Sequence, residues 1–298
     1  MKLFSLFLAL ILFVLSGCET HQTDQLHLVT FNIRYDNPND GDNRWANRIP
    51  IVENYFREEA PDIIGMQEVL NNQLLDLQQM LPDYGYVGTG RDDGNTAGEY
   101  SPIFWREDRF DLIDHSQFWL SETPDSVGSR GWDAALPRIV TWAALQDNQS
   151  GLLIYTFNTH FDHRGRDARK NSISLMSERM SEIAGDAPVI AMGDFNIRRN
   201  HPAFGDTLYN HMIEVFIDND HFKNSEYIAA EVISTGATSN GFNENWRERP
   251  PHAIDYIFVG QHFEVQTYRV DHIIDNGVFI SDHWPVVSIV NFRESGTD

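Results

Sequence analysis

The chain has 298 residues, 41% of them apolar, and a formal net charge of −22, from 22 Lys and Arg against 44 Asp and Glu. That apolar content suffices for a large buried core. The acidic excess argues against a protein that grips duplex DNA, because nonspecific affinity for DNA comes mainly from Lys and Arg neutralising phosphates. A single cysteine leaves no pair for an internal disulfide and no set for a cysteine-ligated metal.

The chain opens on a leader. Lys2 supplies a positive start, Leu3 to Leu15 is an apolar run too short to span a bilayer comfortably, and Leu15-Ser16-Gly17-Cys18 resembles the lipobox of bacterial lipoprotein precursors. The resemblance implies cleavage before Cys18, lipid on its sulfur and amino group, and a membrane-anchored lipoprotein of the cell envelope. Loss of Lys2 makes the mature chain one unit more negative. Residues 18–25 read as a polar tether, and residues 26–293 as one domain, expected to be a monomer.

Leu26–Ile33 reads as a strand running into Asn32-Ile33-Arg34. Asn43–Glu59 is predicted helical, since Ile49, Val52, Tyr55 and Phe56 recur at helix spacing and Pro61 ends the segment. Ile63–Met66 is a short buried strand that delivers Gln67 and Glu68, and Asn71–Leu81 is a second helix stopped at Pro82. Gly88–Gly98 is a polar, Gly-rich loop, followed by strands at Ile103–Arg106 and near Asp111–Leu120, Ile139–Leu145 and Leu152–Asn158. The last of these ends in Asn158-Thr159-His160. Arg166–Ala184 is a long helix with Ile173, Met176, Met180 and Ile183 on one face. Pro188–Met192 is the strand before Gly193-Asp194-Phe195-Asn196. Residues 201–252 read mostly as loops and short helices, and Ala253–Val259, Glu264–Val270 and Trp284–Phe292 as the last strands. Some strands follow helices and others follow strands directly. That order predicts an α/β fold with two mixed β-sheets packed face to face and helices on the outside, a four-layer sandwich.

Hydrophobic runs that end in Asp, Asn, Glu or His are the chemical signal. Asn32, Glu68 and Asp282 are oxygen ligands of the kind Mg²⁺ or Mn²⁺ prefers. Asp194 and Asn196 sit two apart, so a continuing strand would turn both to one side, where an Asp orients water and an Asn donates to a phosphate oxygen. His160 and His283 can contact a phosphate or move a proton near neutral pH. Asp255, flanked by Ile254 and Tyr256, needs a partner in a semi-buried place, and His283 is the natural one. Whether Asp194 or His283 is the base stays open. Such a set points to hydrolysis of a phosphate ester.

Thr30-Phe31-Asn32, Gln67-Glu68, Thr159-His160, Gly193-Asp194-Phe195-Asn196, Ile254-Asp255-Tyr256 and Ser281-Asp282-His283 fall in an order that resembles the endonuclease/exonuclease/phosphatase superfamily, the deoxyribonuclease I-like fold. The likeness runs from about Leu26 to Phe292. It implies that Asn32, Glu68 and Asp282 hold Mg²⁺ or Mn²⁺, that His160 and Asn196 contact the phosphate, that Asp194 orients or activates the nucleophile, and that Asp255 and His283 form an Asp–His pair. It also implies a carboxylate or tyrosine near the site at Glu99 or Tyr100. Arg34, Arg138, Arg169, Trp45, Trp132 and Trp246 are further candidates to border a phosphoester substrate. The favoured reaction is phosphodiester hydrolysis on small or flexible exported substrates, such as phosphorylated glycans, headgroups or nucleotides, with duplex DNA disfavoured. A scavenging nuclease and a non-catalytic surface-binding lipoprotein are the alternatives.

Overall fold

The computed structural model describes residues 25–293 other than 204, 220, 221, 235 and 249–251. The leader, the lipobox with Cys18 and the tether up to Gln25 lie outside the described residues. No helix among the described residues is long and apolar enough to cross a membrane.

The strands are β1 (Gln25–Asn32), β2 (Ile63–Gln67), β3 (Tyr84–Val87), β4 (Ile103–Arg106), β5 (Phe110–Trp119), β6 (Ile139–Asp147), β7 (Leu153–His160), β8 (Val189–Asp194), β9 (Lys223–Asn224), β10 (Glu231–Val232), β11 (Asp255–Val259), β12 (Phe263–Val270), β13 (Ile274–Asp275), β14 (Val278–Phe279) and β15 (Val286–Phe292). The α-helices are α1 (Trp45–Glu59), α2 (Asn71–Met80), α3 (Arg166–Ala184), α4 (Thr207–Met212) and α5 (Ser225–Ile228). One sheet has seven strands in the order β10-β12-β15-β1-β2-β4-β3, the other six in the order β5-β6-β7-β8-β11-β9, and β13 and β14 form a small hairpin. The expected four-layer sandwich of two mixed sheets is what the chain forms.

Each large sheet has a parallel pair near its centre, β1 with β2 and β7 with β8. A parallel pair needs a crossover, and α1 and α3 supply the two. α1 buries Trp45, Arg48, Ile51, Val52, Tyr55 and Phe56, one helical stripe, and ends at Ala60 in the left-handed conformation just before Pro61. α3 buries Ile173, Met176 and Met180 on the outer face of the second sheet.

Strand periodicity divides the core. In β8, Ile190 and Met192 face the space between the sheets, while Val189 and Ala191 face α3 and α4. The sheets approach closely at Gly65, where an added Cβ would lie 2.6 Å from Met192 Sδ and 2.9 Å from Asn158 Cγ. Asn158 is the polar tie across this gap. Its Nδ2 donates to the carbonyls of Met66 (2.7 Å) and Pro102 (2.8 Å), and its Oδ1 accepts from Gln67 Nε2 (2.7 Å). A satisfied amide in an apolar core fixes one register between the sheets.

β3 is absent from the sequence-based expectation. It is a four-residue edge strand, mostly partly exposed, and Gly85 inside it weakens the strand signal. The last strand begins at Val286 rather than Trp284, because Trp284 N donates to Thr238 O and so leaves the ladder.

Candidate active site

Strand direction brings the polar clusters together. Asn32 and Gln67 end the parallel pair of one sheet in register, and His160 and Asp194 end the parallel pair of the other. β11 runs antiparallel to β8, so its first residue, Asp255, pairs with Asp194. β15 runs antiparallel to β1, so the segment before it, which holds Asp282 and His283, meets the end of β1. All the clusters therefore converge on one edge of the sandwich.

The turns there are held by short side chains. Asn32 Oδ1 accepts from Arg34 N (3.0 Å) and Asp194 Oδ1 from Asn196 N (2.9 Å), the same Asx turn at the end of each sheet's central strand. Arg34, Glu68 and Asn196 have φ of 58°, 60° and 50°, a left-handed backbone that residues with side chains adopt at some cost. Gly193 has φ of 145°, and a Cβ there would sit 2.1 Å from the Thr159 carbonyl oxygen, so only glycine lets β8 lie this close to β7.

Asp194 Oδ2 is the meeting point. Asn32 Nδ2 donates to it at 3.1 Å, His160 Nε2 lies 3.4 Å away and His283 Nε2 3.9 Å away. Asn32 Nδ2 also donates to Glu68 Oε1 (3.1 Å), which links the carboxylates of the two sheets. His283 Nδ1 lies 3.1 and 2.9 Å from the two oxygens of Asp255. Thr238 Oγ1 donates to Asp255 Oδ2 (2.5 Å) and accepts from the main-chain N–H groups of Ile254 and Asp255. Thr238 thus fixes the carboxylate that fixes the histidine. The expected Asp255–His283 pair is formed.

Burial sets the protonation. Burial works against a charged His283, but Asp255, Asp194 and Asp282 outweigh it and hold its pKa well above the ordinary value. Burial, reinforced by the Asp255 charge, pushes Asp194 up to about 7. Burial pulls His160 well below its usual pKa, and Arg138 and Arg91 add to that, so His160 is a neutral imidazole at neutral pH.

Two groupings could hold a cation. Asp194, Asp255 and His283 bring ligand-type atoms within 4.8 Å of one another. In that trio Asp255 already accepts from His283 and Thr238 on its carboxylate oxygens. Asn32, Glu68 and Asp282 each carry a side-chain oxygen that could face a cation, and burial together with the nearby Glu68 charge raises the Asp282 pKa. Arg34 Nη1 reaches toward both carboxylates, 3.8 Å from Glu68 Oε2 and 3.7 Å from Asp282 Oδ2. Two converging carboxylates that draw in a guanidinium suit a hard divalent cation, so this set fits Mg²⁺ or Mn²⁺.

Glu68 and Arg34 of this set line a cleft of about 410 Å³, whereas Asn32 and Asp282 are not among its lining residues. Glu99, His160, Asp194, Asn196 and His283 line it too, with Tyr35, Leu136, Arg138 and His163. Arg138 is 3% exposed, its Nη2 lies 3.0 Å from His163 Nδ1, and its Nε and Nη1 have no hydrogen-bond partner. Glu99 is gripped by Arg91 at 2.6 and 2.8 Å and sits 3.8 Å from His160 Nδ1.

Two expected substrate contacts do not line the cleft. Tyr100 is turned away, its hydroxyl donating to Asn71 Oδ1 (3.1 Å); alternation along the extended segment sends Glu99 inward and Tyr100 outward. Trp246 is packed in the core against His272 and Trp284, with ring centroids 4.4 and 5.1 Å apart. Among the looser candidates, Arg34 lines the cleft, whereas Arg169 donates to the Asp162 carbonyl and Trp45 to Asp76, both from within the fold. His163 and Thr238 escaped the sequence reading. His163 could have been found from its place three residues after His160, but Thr238 carries no local signal.

Comparison with known proteins places this arrangement. The model of the endonuclease/exonuclease/phosphatase family matches residues 29–283. An endonuclease/exonuclease/phosphatase protein from Bacteroides vulgatus superposes with a TM-score of 0.83 at 38% identity, over 90% of this chain and 99% of that one. A mannosyl-6-phosphatase from Bacteroides thetaiotaomicron superposes with a TM-score of 0.80 at 34% identity, over 90% of this chain and 100% of that one. The human Nocturnin catalytic domain shares the fold at 19% identity, with a TM-score of 0.67 and coverage of 90% and 94%. Among curated sequences, carbon catabolite repressor protein 4 homolog 3 of Arabidopsis thaliana is 24% identical over 164 residues, 54% of this chain but 35% of that protein. An uncharacterized mimivirus protein is 29% identical over 180 residues, 50% of this chain and 26% of its own length, so the matches cover well under half of these curated relatives. The chain belongs to the endonuclease/exonuclease/phosphatase family and is a metal-dependent phosphoric ester hydrolase.

Proposed function

We propose that this enzyme removes phosphate from a sugar, acting on a small phosphorylated glycan. The observation that carries the hydrolytic part is the cluster around Asp194 Oδ2, where Asn32, His160 and His283 approach within 3.9 Å. The substrate part is supported by the likeness to a mannosyl-6-phosphatase at 34% identity over the whole of that chain. The sequence favoured a diester; this likeness turns the reading to a terminal monoester. A cleft of about 410 Å³ suits a sugar phosphate better than a duplex.

Asn32, Glu68 and Asp282 would hold Mg²⁺ or Mn²⁺, which supplies charge neutralisation at a phosphate oxygen and at the leaving oxygen. Asp194 orients the attacking water and, with its pKa near neutrality, accepts its proton. His160 and Asn196 donate toward the phosphate, and Arg34 and Arg138 add positive charge from the cleft wall. The water oxygen forms the new bond to phosphorus, the bond to the sugar oxygen breaks, and that oxygen takes a proton from His283, held as imidazolium by Asp255.

A substrate panel with Mn²⁺ tests this: mannose 6-phosphate, p-nitrophenyl phosphate, bis-p-nitrophenyl phosphate, nucleotides, sphingomyelin and plasmid DNA. We expect the highest kcat/KM on the sugar phosphate. A higher value on the bis ester would return the reading to a phosphodiesterase, and efficient DNA cleavage would make the protein a nuclease.

A further inference from the structure

α1 buries a whole arginine. Arg48 is 0% exposed, and its donors go to main-chain carbonyls: Nε to Asn43 O (2.7 Å), Nη1 to Ile33 O and to Ile280 O (3.2 Å), and Nη2 to Arg34 O (2.9 Å). Burial lowers its pKa to about 10, so it is a cation at neutral pH, balanced through space by Asp282, Asp40 and Glu68.

The carbonyls it grips are not scattered. Ile33 and Arg34 follow Asn32 directly, and Ile280 stands two residues before Asp282. The two segments are far apart in the chain and touch again through Ser281 Oγ, which donates to Asn32 O (2.7 Å). Asn43, at the head of α1, accepts from Phe279 N (2.9 Å) through its Oδ1. A guanidinium is the one side chain with enough fixed donors to bridge carbonyls on three sides, and a lysine ammonium reaches fewer and holds them less rigidly.

We propose that Arg48 is a positioning residue for the cation site: by bonding the turn after Asn32 to the segment before Asp282, it sets the spacing at which those two residues meet a divalent ion. It touches neither substrate nor reacting atoms and acts through the two segments it clamps. The inference rests on the reading that Asn32, Glu68 and Asp282 hold the cation. Outer groups that orient metal ligands typically alter affinity by about 10- to 100-fold when removed.

The test is Mn²⁺ binding, read from the electron paramagnetic resonance of free Mn²⁺, on wild type, Arg48→Lys, Arg48→Met and Glu68→Gln, with thermal melts of each. We expect Arg48→Lys to fold and to bind Mn²⁺ about 10-fold more weakly, Arg48→Met to bind more weakly still, and turnover of Arg48→Lys to recover as Mn²⁺ is raised. A residue that only supports the fold would lower the melting temperature and leave the affinity of the folded protein unchanged. Unchanged affinity in Arg48→Lys with weakened binding in Glu68→Gln would overturn the role of Arg48 and leave the cation reading standing. Unchanged affinity in both would remove the cation reading itself. Should neither Arg48 variant fold, hydrogen exchange of the wild type decides: residues 33–35 and 280–283 should gain protection together on Mn²⁺ binding, and protection of one segment alone would sink the proposal.

Discussion

At the residue scale, we propose that the site is two coupled units that share Asn32. One is the proton unit, Asp194 with His283 and Asp255. The latter two should behave as one element of catalysis, because His283 owes its orientation to the Asp255 carboxylate 2.9 Å away. Asp255→Asn and His283→Ala should each lower kcat by about 10²-fold or more, and the double variant should be little worse than the worse single one. Steady-state kinetics of the three variants checks this; fully multiplicative losses would separate the two residues. The other unit is the cation set with Arg34 reaching between its carboxylates. Arg34→Gln removes a positive charge that competes for Glu68 and Asp282, so Mn²⁺ should bind about 2- to 5-fold more tightly by calorimetry, while the protein without added metal should melt lower. Weaker Mn²⁺ binding in that variant would mean that Arg34 organises the set rather than competing with the ion.

At the scale of elements, strand ends do the positioning, and glycines decide how closely strands and sheets meet. Gly65 and Gly193 make a contrast. A Cβ at Gly65 presses on the flexible end of Met192 and on Asn158, whereas a Cβ at Gly193 strikes the fixed Thr159 carbonyl oxygen at 2.1 Å. Gly65→Ala should cost about 1–3 kcal/mol, the usual range for overpacking, and keep most activity. Gly193→Ala adds a disfavoured φ to an unyielding contact, should cost more, and should displace Asp194 enough to abolish turnover. Urea denaturation midpoints with parallel assays measure both, and an active Gly193→Ala of wild-type stability would refute the close-approach account. The same strand ends explain what the sequence could show. Apolar runs closing on Asn32 or Asp194, or opening from Asp255, are visible in one dimension, and so is the helical stripe of α1. Side-chain direction at an irregular stretch is not: Glu99 and Tyr100 exchange roles by one step of alternation. Trp246 reads as a loop aromatic because its partners, His272 and Trp284, lie far along the chain. Thr238 meets Asp255 across 17 residues of sequence separation, a contact no local pattern signals.

For the whole molecule, charge is the governing quantity. A net charge of −22 repels polyanions at long range, though exposed charges are screened beyond about 8 Å at physiological salt. Small phosphoesters should therefore be turned over with little change across a NaCl series at fixed Mn²⁺. Duplex DNA should be a poor substrate whose cleavage does not collapse as salt rises. Efficient cleavage with a steep negative salt slope would reveal a local basic surface that outweighs the net charge. We also propose lipidation at Cys18. Cys18→Ser should leave the chain out of the detergent phase on partitioning, and equal partitioning of variant and wild type would refute the anchor.

The direction of β1 then sets how such an anchored enzyme would stand. The strand enters at Gln25 and delivers Asn32 toward the cleft, so at about 3.3 Å per residue the point of attachment and the catalytic edge lie about 23 Å apart. The seven steps from Cys18 to Gln25 span at most about 25 Å when fully drawn out. An enzyme tied at Cys18 would thus be moored by its base, and its mouth would reach back to the bilayer only with the tether drawn out almost fully. It would graze on what drifts past the envelope rather than on the lipids that hold it. Tethered to vesicles, it should hydrolyse a soluble sugar phosphate as fast as the free domain does.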